Sequence, residues 1–170
     1  AVVAAGAHSK SLANSLGDDI PLDTERGYHI VIANPEAAPR IPTTDASGKF
    51  IATPMEMGLR VAGTVEFAGL TAAPNWKRAH VLYTHARKLL PALAPASSEE
   101  RYSKWMGFRP SIPDSLPVIG RATRTPDVIY AFGHGHLGMT GAPMTATLVS
   151  ELLAGEKTSI DISPFAPNRF

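Results

Sequence analysis

The chain has 170 residues, 44% of them apolar, which is enough to bury a sizeable core and suits one domain or slightly more. Its 16 basic and 15 acidic side chains nearly balance, so charge gives no argument for binding nucleic acid or a membrane surface. With no cysteine, disulfides, thiolate metal ligands and a cysteinyl cofactor link are excluded within these residues, and no apolar run reaches the roughly 18 residues of a membrane span.

In chain order, residues 1 to 6 read as a strand and residues 9 to 16 as a short helix, with Ser9 able to cap it and Gly17 to stop it. Residues 28 to 33 form a β-rich run ending before Pro35. Residues 34 to 48 are rich in proline, alanine and turn formers, as a loop or hairpin tip would be. Phe50-Ile51-Ala52-Thr53 and residues 58 to 67 read as strands. In the second, the period of two places Leu59, Val61, Val65 and Phe67 on one face and Arg60, Thr64 and Glu66 on the other. Residues 75 to 90 read as a helix with Ala79, Leu82, Ala86 and Leu89 on one stripe and Asn75 as N-cap. Its Lys77, Arg78, Arg87 and Lys88 read as a solvated face, and Trp105 and Met106 as core residues.

The last third carries the chemistry. Gly107-Phe108-Arg109-Pro110 leads through Pro113-Asp114-Ser115-Leu116-Pro117-Val118-Ile119-Gly120 to Gly133-His134-Gly135-His136-Leu137-Gly138-Met139-Thr140. Val128-Ile129-Tyr130-Ala131-Phe132 is a short apolar run between Pro126-Asp127 and Gly133, which suits a buried strand. Gly133, Gly135, Gly138 and Gly141 then allow positive φ and close approach to a ligand. Pro143 opens a helical pattern through Ala146, Val149, Leu152 and Leu153, stopped by Gly155. Free N–H groups of the loop and the helix N-terminus both favour negative charge there. By pattern alone an ordinary tight turn, with its glycines there for packing, is the favoured reading. Arg109 has two readings, a fork for a carboxylate ligand or a partner of Asp114 that braces the loop. His134 and His136 lack a neighbouring carboxylate or further histidine that would make them metal ligands. His8, Ser9 and Asp23 form no hydrolase triad, since no G-x-S-x-G elbow is present.

These stretches resemble the C-terminal region of the D-amino-acid oxidase superfamily of FAD-dependent oxidoreductases, in particular the bacterial D-amino-acid dehydrogenase small-subunit branch. Further pieces match in order: Ala4-Ala5-Gly6-Ala7-His8-Ser9, Pro21-Leu22-Asp23-Thr24-Glu25-Arg26-Gly27-Tyr28-His29, Gly58-Leu59-Arg60-Val61-Ala62-Gly63-Thr64-Val65-Glu66-Phe67 and Asp161-Ile162-Ser163-Pro164-Phe165 with Asn168-Arg169-Phe170. Such proteins are roughly twice as long and open with a strand, a G-x-G-x-x-G turn and a helix for the FAD pyrophosphate. No such fingerprint is read anywhere in this chain, so the resemblance implies a C-terminal portion whose partner is a missing N-terminal FAD-binding half.

The resemblance also sets the remaining expectations. The fold should be α/β, with a mixed-sheet substrate-binding domain at residues 21–110. Residues 1–20 and 111–170 should belong to a Rossmann-like FAD domain, supplying its C-terminal strand and helix. The cofactor is FAD and the reaction is oxidation of an amino-acid C–N bond, with a D-amino acid as substrate. A glycine-, sarcosine- or proline-type oxidase and a non-catalytic binding domain are the alternatives. Arg109 should bind the substrate carboxylate, with Tyr28 and His29 near the substrate. Residues 133 to 140 should lie against the flavin, with Thr140 donating to the ring or capping the last helix. A quinone or other electron acceptor would complete the cycle, in the cytoplasm or peripherally at the inner membrane.

Overall fold

A computed structural model describes residues 1–93 and 101–170 of the chain. In order, its elements are β1 (Val2–Val3), α1 (Ser9–Ser15), β2 (Asp23–Ile32), β3 (Thr43–Asp45), β4 (Phe50–Met55), β5 (Gly58–Phe67), α2 (Lys77–Leu89), β6 (Ser103–Ser111), β7 (Val118–Arg121), β8 (Ile129–Phe132) and α3 (Gly138–Ala154). The fold is α/β with two sheets, and it divides into two compact units, one of Ala1–Glu25 with Phe108–Phe170 and one of Arg26–Gly107. Both boundaries fall inside strands, β2 and β6, rather than in loops.

The first unit is built on a three-stranded sheet in the order β1-β8-β7. The apolar run before Gly133 becomes β8, parallel to β1 through Val2 and Ile129, and antiparallel to β7 through Val118 and Phe132. Its core gathers Ala13, Ile20, Leu22, Ile112, Val118, Tyr130 and Phe132. Tyr130 places its hydroxyl on buried Asp18 at 2.8 Å, and Thr123 gives that carboxylate a backbone N–H at 3.1 Å as well as its hydroxyl. Burial alone would push the Asp18 carboxyl up, but the Thr123 and Tyr130 hydrogen bonds outweigh it and hold it below the usual range. Burial and the same carboxylate push the Tyr130 phenol up.

Two helix starts differ from expectation. Ser9 is the first residue of α1, not its cap; its Oγ is buried without a partner among the described residues, because a 3-10 turn at Gly6–His8 leads straight into the helix. Gly17 does stop it, at φ 90°. α3 begins at Gly138, five residues before Pro143, which lies inside the helix. The bond lost there is the one to the carbonyl of Met139, a residue 94% exposed, so water can satisfy it.

The second unit carries the five-stranded sheet, in the order β3-β4-β5-β2-β6. Tyr28, Ile30 and Ile32 from β2, Leu59 and Val61 from β5, and Ala79, Leu82, Tyr83 and Ala86 from α2 make its core. The loop expected at residues 34 to 48 ends in β3, which pairs antiparallel with β4 around a turn where Asp45 accepts the N–H groups of Ser47 and Gly48. Leu59 and Val61 are buried as their alternation requires, but Phe67 is 73% exposed at the strand's end. α2 has no side-chain cap; the Asn75 carbonyl accepts the Arg78 N–H, while its own N–H donates to Tyr28 Oη. Trp105 is not a core residue but 53% exposed and stacked on His29, because β6 alternates and its neighbour Met106 takes the inward position.

Candidate active site

β8 delivers the chain into the glycine loop, and two backbone conformations shape it. Gly133 has φ +86° and is packed so closely that an added Cβ would stand 2.4 Å from Ile112 Cδ1. Gly135, at φ +52°, donates its N–H to the Pro110 carbonyl at 2.8 Å, which fastens the loop to β6 one residue beyond Arg109. Among the described residues a Cβ at Gly135 would meet only the Pro110 carbonyl oxygen, at 4.0 Å, so that side of the loop is open. The other two glycines do not take the positive φ that their pattern allowed. Gly138 and Gly141 are helical, and a Cβ on them would make only ordinary contacts with His134, at 3.6 and 3.5 Å.

The Gly141 N–H to Leu137 carbonyl bond of 2.8 Å opens the α3 ladder, so the N–H groups of Gly138, Met139 and Thr140 have no acceptor within the helix. No side chain caps them, which removes the capping role expected of Thr140. These groups and the helix dipole favour a negative or electron-rich ligand edge. Gly133 to Gly138 also has G-x-G-x-x-G spacing between a strand and a helix, yet no strand follows α3, so the βαβ unit of a dinucleotide fingerprint is not completed.

The two loop histidines take different roles. His134 Nε2 lies 2.9 Å from Thr145 Oγ1, and that hydroxyl already donates to the Gly141 carbonyl. The imidazole must therefore be the donor, and burial holds it below the ordinary histidine value, in its neutral form. His136 is 57% exposed and places Nδ1 3.6 Å from Glu25 Oε2. Glu25 in turn accepts from Ser111 Oγ at 2.9 Å. Glu25, Ser111, His134 and His136 line a cavity of about 140 Å³ beside the loop. Sequence reasoning missed Glu25 and Ser111, which are 86 residues apart and carry no local signal.

Arg109 sits half-buried on β6, and its Nη1 is buried with no hydrogen-bond partner among the described residues. The bracing role is ruled out, because Asp114 pairs with Arg169 instead, through contacts of 2.7 and 3.2 Å. That guanidinium, with the Leu116 N–H, holds the Asp114 carboxyl below the usual range.

Tyr28 and His29 belong to the second unit. The Tyr28 hydroxyl donates to Glu66 at 2.5 Å and accepts the Asn75 N–H at 2.9 Å, so no donor is left for a ligand. Glu66 also faces Arg26 at 3.6 Å and Arg78 at 3.7 Å, and Arg26 is fully buried. Arg78 is thus not merely solvated; it also donates to the Val65 carbonyl at 2.8 Å. His29 Nδ1 lies 3.4 Å from Arg60 Nη2, and because arginine only donates, Nδ1 accepts and Nε2 carries the proton. Burial, with the Arg60 charge, holds this imidazole below its ordinary value.

The described residues fit the ring end of a flavin: unpaired N–H groups at the α3 start, an open loop face at Gly135 and a desolvated guanidinium beside it on β6. Among them no group of three or more metal-ligating side chains assembles, and no helix is long and apolar enough to cross a membrane. Residues 1–152 match the family described as FAD dependent oxidoreductase. A D-amino-acid oxidase of Bradyrhizobium diazoefficiens is 51% identical over 170 residues, all of this chain and 40% of that protein. A D-amino acid dehydrogenase of Paramagnetospirillum magneticum is 33% identical over 171 residues, 99% of this chain and again 40% of the relative. The chain thus spans about 40% of the length of these curated relatives. Glycine oxidase from Geobacillus kaustophilus shares the fold at a TM-score of 0.79 and 23% identity, over 99% of this chain and 45% of that one. L-proline dehydrogenase from P. horikoshii does so at 0.77 and 20%, over 99% and 46%. A match across both units, at identities that sequence divergence alone does not produce by chance, means that the chain belongs to the FAD dependent oxidoreductase family.

Proposed function

We propose that the chain is the C-terminal part of a longer FAD-dependent oxidase or dehydrogenase that oxidises the C–N bond of amino acids, with D-amino acids as its substrates. The observation that carries this reading is Arg109, whose Nη1 is buried without a partner among the described residues, one residue before the Pro110 carbonyl that holds Gly135 of the loop. A buried donor left unpaired is costly, and a bidentate carboxylate is its natural complement. Gly138, Met139 and Thr140 would hold the electron-rich edge of the flavin ring through their N–H groups, with Gly133, His134, Gly135, His136 and Leu137 shaping the approach. When bound, the flavin supplies a two-electron acceptor for the hydrogen on the carbon that bears nitrogen.

The chain's own part is orientation. Arg109 fixes the substrate by its carboxylate, which sets the reacting carbon at a defined place and needs no strong base. His134, neutral and locked to Thr145, holds the loop and adds no charge beside the substrate. The imine product would then hydrolyse in water. His29 carries its proton on Nε2, with no acceptor for it among the described residues, and is the better of the two substrate candidates on β2, since the Tyr28 hydroxyl is engaged. Electrons would leave to oxygen or to a quinone-like acceptor, in the cytoplasm or peripherally at the inner membrane.

Glycine-, sarcosine- and proline-type oxidation remains the second reading, favoured by the fold shared with glycine oxidase and L-proline dehydrogenase. The test is a panel of D- and L-amino acids, glycine, sarcosine and proline, added anaerobically to the full-length flavoprotein while flavin absorbance is followed. Bleaching by D-amino acids is the expected result. Bleaching by sarcosine or L-proline in preference would transfer the assignment to the second reading, and no bleaching by any of them would overturn both.

A further inference from the structure

The cavity beside the glycine loop contains a carboxylate whose bonding is incomplete. Among the described residues Glu25 accepts one hydrogen bond, from Ser111 Oγ at 2.9 Å, and its other oxygen faces His136 Nδ1 at 3.6 Å, beyond hydrogen-bond reach. An ionised carboxylate offers about four acceptor positions, and an open imidazole at that distance neutralises little of its charge. The Glu25 side chain is 21% exposed, so its remaining acceptors open into a space of about 140 Å³. His134, the other titratable side chain on that wall, is neutral and occupied with Thr145.

The opposite charge stands two residues earlier on the strand that carries Ser111. Arg109 and Ser111 occupy the same face of β6 by the period of two, with their Cα atoms about 7 Å apart. An α-amino acid carries its ammonium and carboxylate on one carbon, so its two ends call for an anionic and a cationic group close together; Gly135, which lines the Glu25 cavity, is hydrogen-bonded to Pro110, the residue after Arg109.

We propose that Glu25, held by Ser111, recognises the substrate's amino group as an ammonium while Arg109 takes its carboxylate, so that the cavity selects amino acids over acids lacking the amine. This rests on reading the site as one that oxidises amino acids, and it adds a specificity residue to it. Ser111 acts as a positioning residue, through Glu25.

The test uses the full-length flavoprotein and two probes, alanine of the enantiomer that is turned over and propionate, which has the same carbon chain without the amine. Glu25→Gln should lower kcat/KM for alanine roughly tenfold or more, mainly through KM, and leave the inhibition constant of propionate unchanged. Glu25→Asp, which keeps the charge but retracts it, should show a smaller loss of the same selective kind. Flavin absorbance at equal occupancy checks that each variant is folded at the site. Equal weakening of both probes by Glu25→Gln, or of neither, overturns the proposal. Arg109→Lys is the separate control: it should weaken both probes, and if it weakens neither, the carboxylate reading of Arg109 fails whatever Glu25 does.

Discussion

Arg109 is held in an arrangement that costs free energy, since a guanidinium nitrogen is desolvated without an acceptor among the described residues. Its nearest acidic neighbour in sequence, Asp114, is bound to Arg169, so no internal rearrangement of the loop relieves it. Arg109→Lys replaces a two-pronged fork by a point charge. In the full-length flavoprotein it should cost about 1.5 to 3 kcal/mol in kcat/KM with flavin occupancy unchanged; catalytic efficiency equal to wild type would remove Arg109 from the site. The two depressed imidazoles predict a pH dependence of stability. His29 and His134 stay neutral in the folded chain, whereas the unfolded chain takes up those protons near pH 6.5. The unfolded state then binds more protons, so stability is intact above that pH and falls as pH drops through it. Urea midpoints at pH 7.5 and 5.5 check the sign, and His29→Gln should flatten part of the slope; a midpoint that rises on acidification would contradict it.

At the scale of elements, the strand–loop–helix unit from β8 to α3 depends on two positive-φ glycines and not on all four. Gly135→Val would force a β-branched residue to φ near +52° and fill the open side of the loop. Gly138→Ala adds only an ordinary contact with His134. The expected result in the full-length protein is flavin lost or its potential lowered by Gly135→Val and retained by Gly138→Ala, with circular dichroism unchanged in both; normal flavin occupancy and turnover in both would make the loop a structural turn only. In the second unit, β2, β5 and α2 are joined by Glu66, which meets Tyr28, Arg26 and Arg78. Removing its charge leaves the fully buried Arg26 less compensated. Glu66→Gln should destabilise this unit by about 3 kcal/mol, read as a lower denaturant midpoint with no change at the flavin loop.

For the molecule as a whole, the chain spans about 40% of its curated relatives, and its one G-x-G-x-x-G spacing lacks the strand that would complete a dinucleotide unit. On the proposed reading the α3 start and the Gly135 face would meet the ring end of the flavin, whereas no completed dinucleotide unit stands among the described residues to cradle the pyrophosphate. The 170-residue chain purified alone is therefore expected to be colourless. Stoichiometric yellow cofactor surviving gel filtration would mean that the glycine loop itself binds the diphosphate.

Local pattern was sufficient where a feature depends on near neighbours in the chain. The β8 run, the stripe of α2, the alternation of Leu59 and Val61, and the stops at Gly17 and Gly155 all follow from periodicity and backbone freedom within a few residues. The family was legible for the same reason, since its motifs are short and ordered along the chain. Pairings across long separations were not legible. Arg169 reaches Asp114 over 55 positions, Glu25 meets Ser111 over 86 and Asp18 meets Tyr130 over 112, and only folding brings such groups together. The tertiary structure therefore decided which acid Arg109 does not pair with, that burial holds His134 neutral, that the Tyr28 hydroxyl is engaged, and that a carboxylate stands in the cavity. Charge, burial and hydrogen-bond satisfaction depend on neighbours in space, whereas a sequence records only neighbours along the chain.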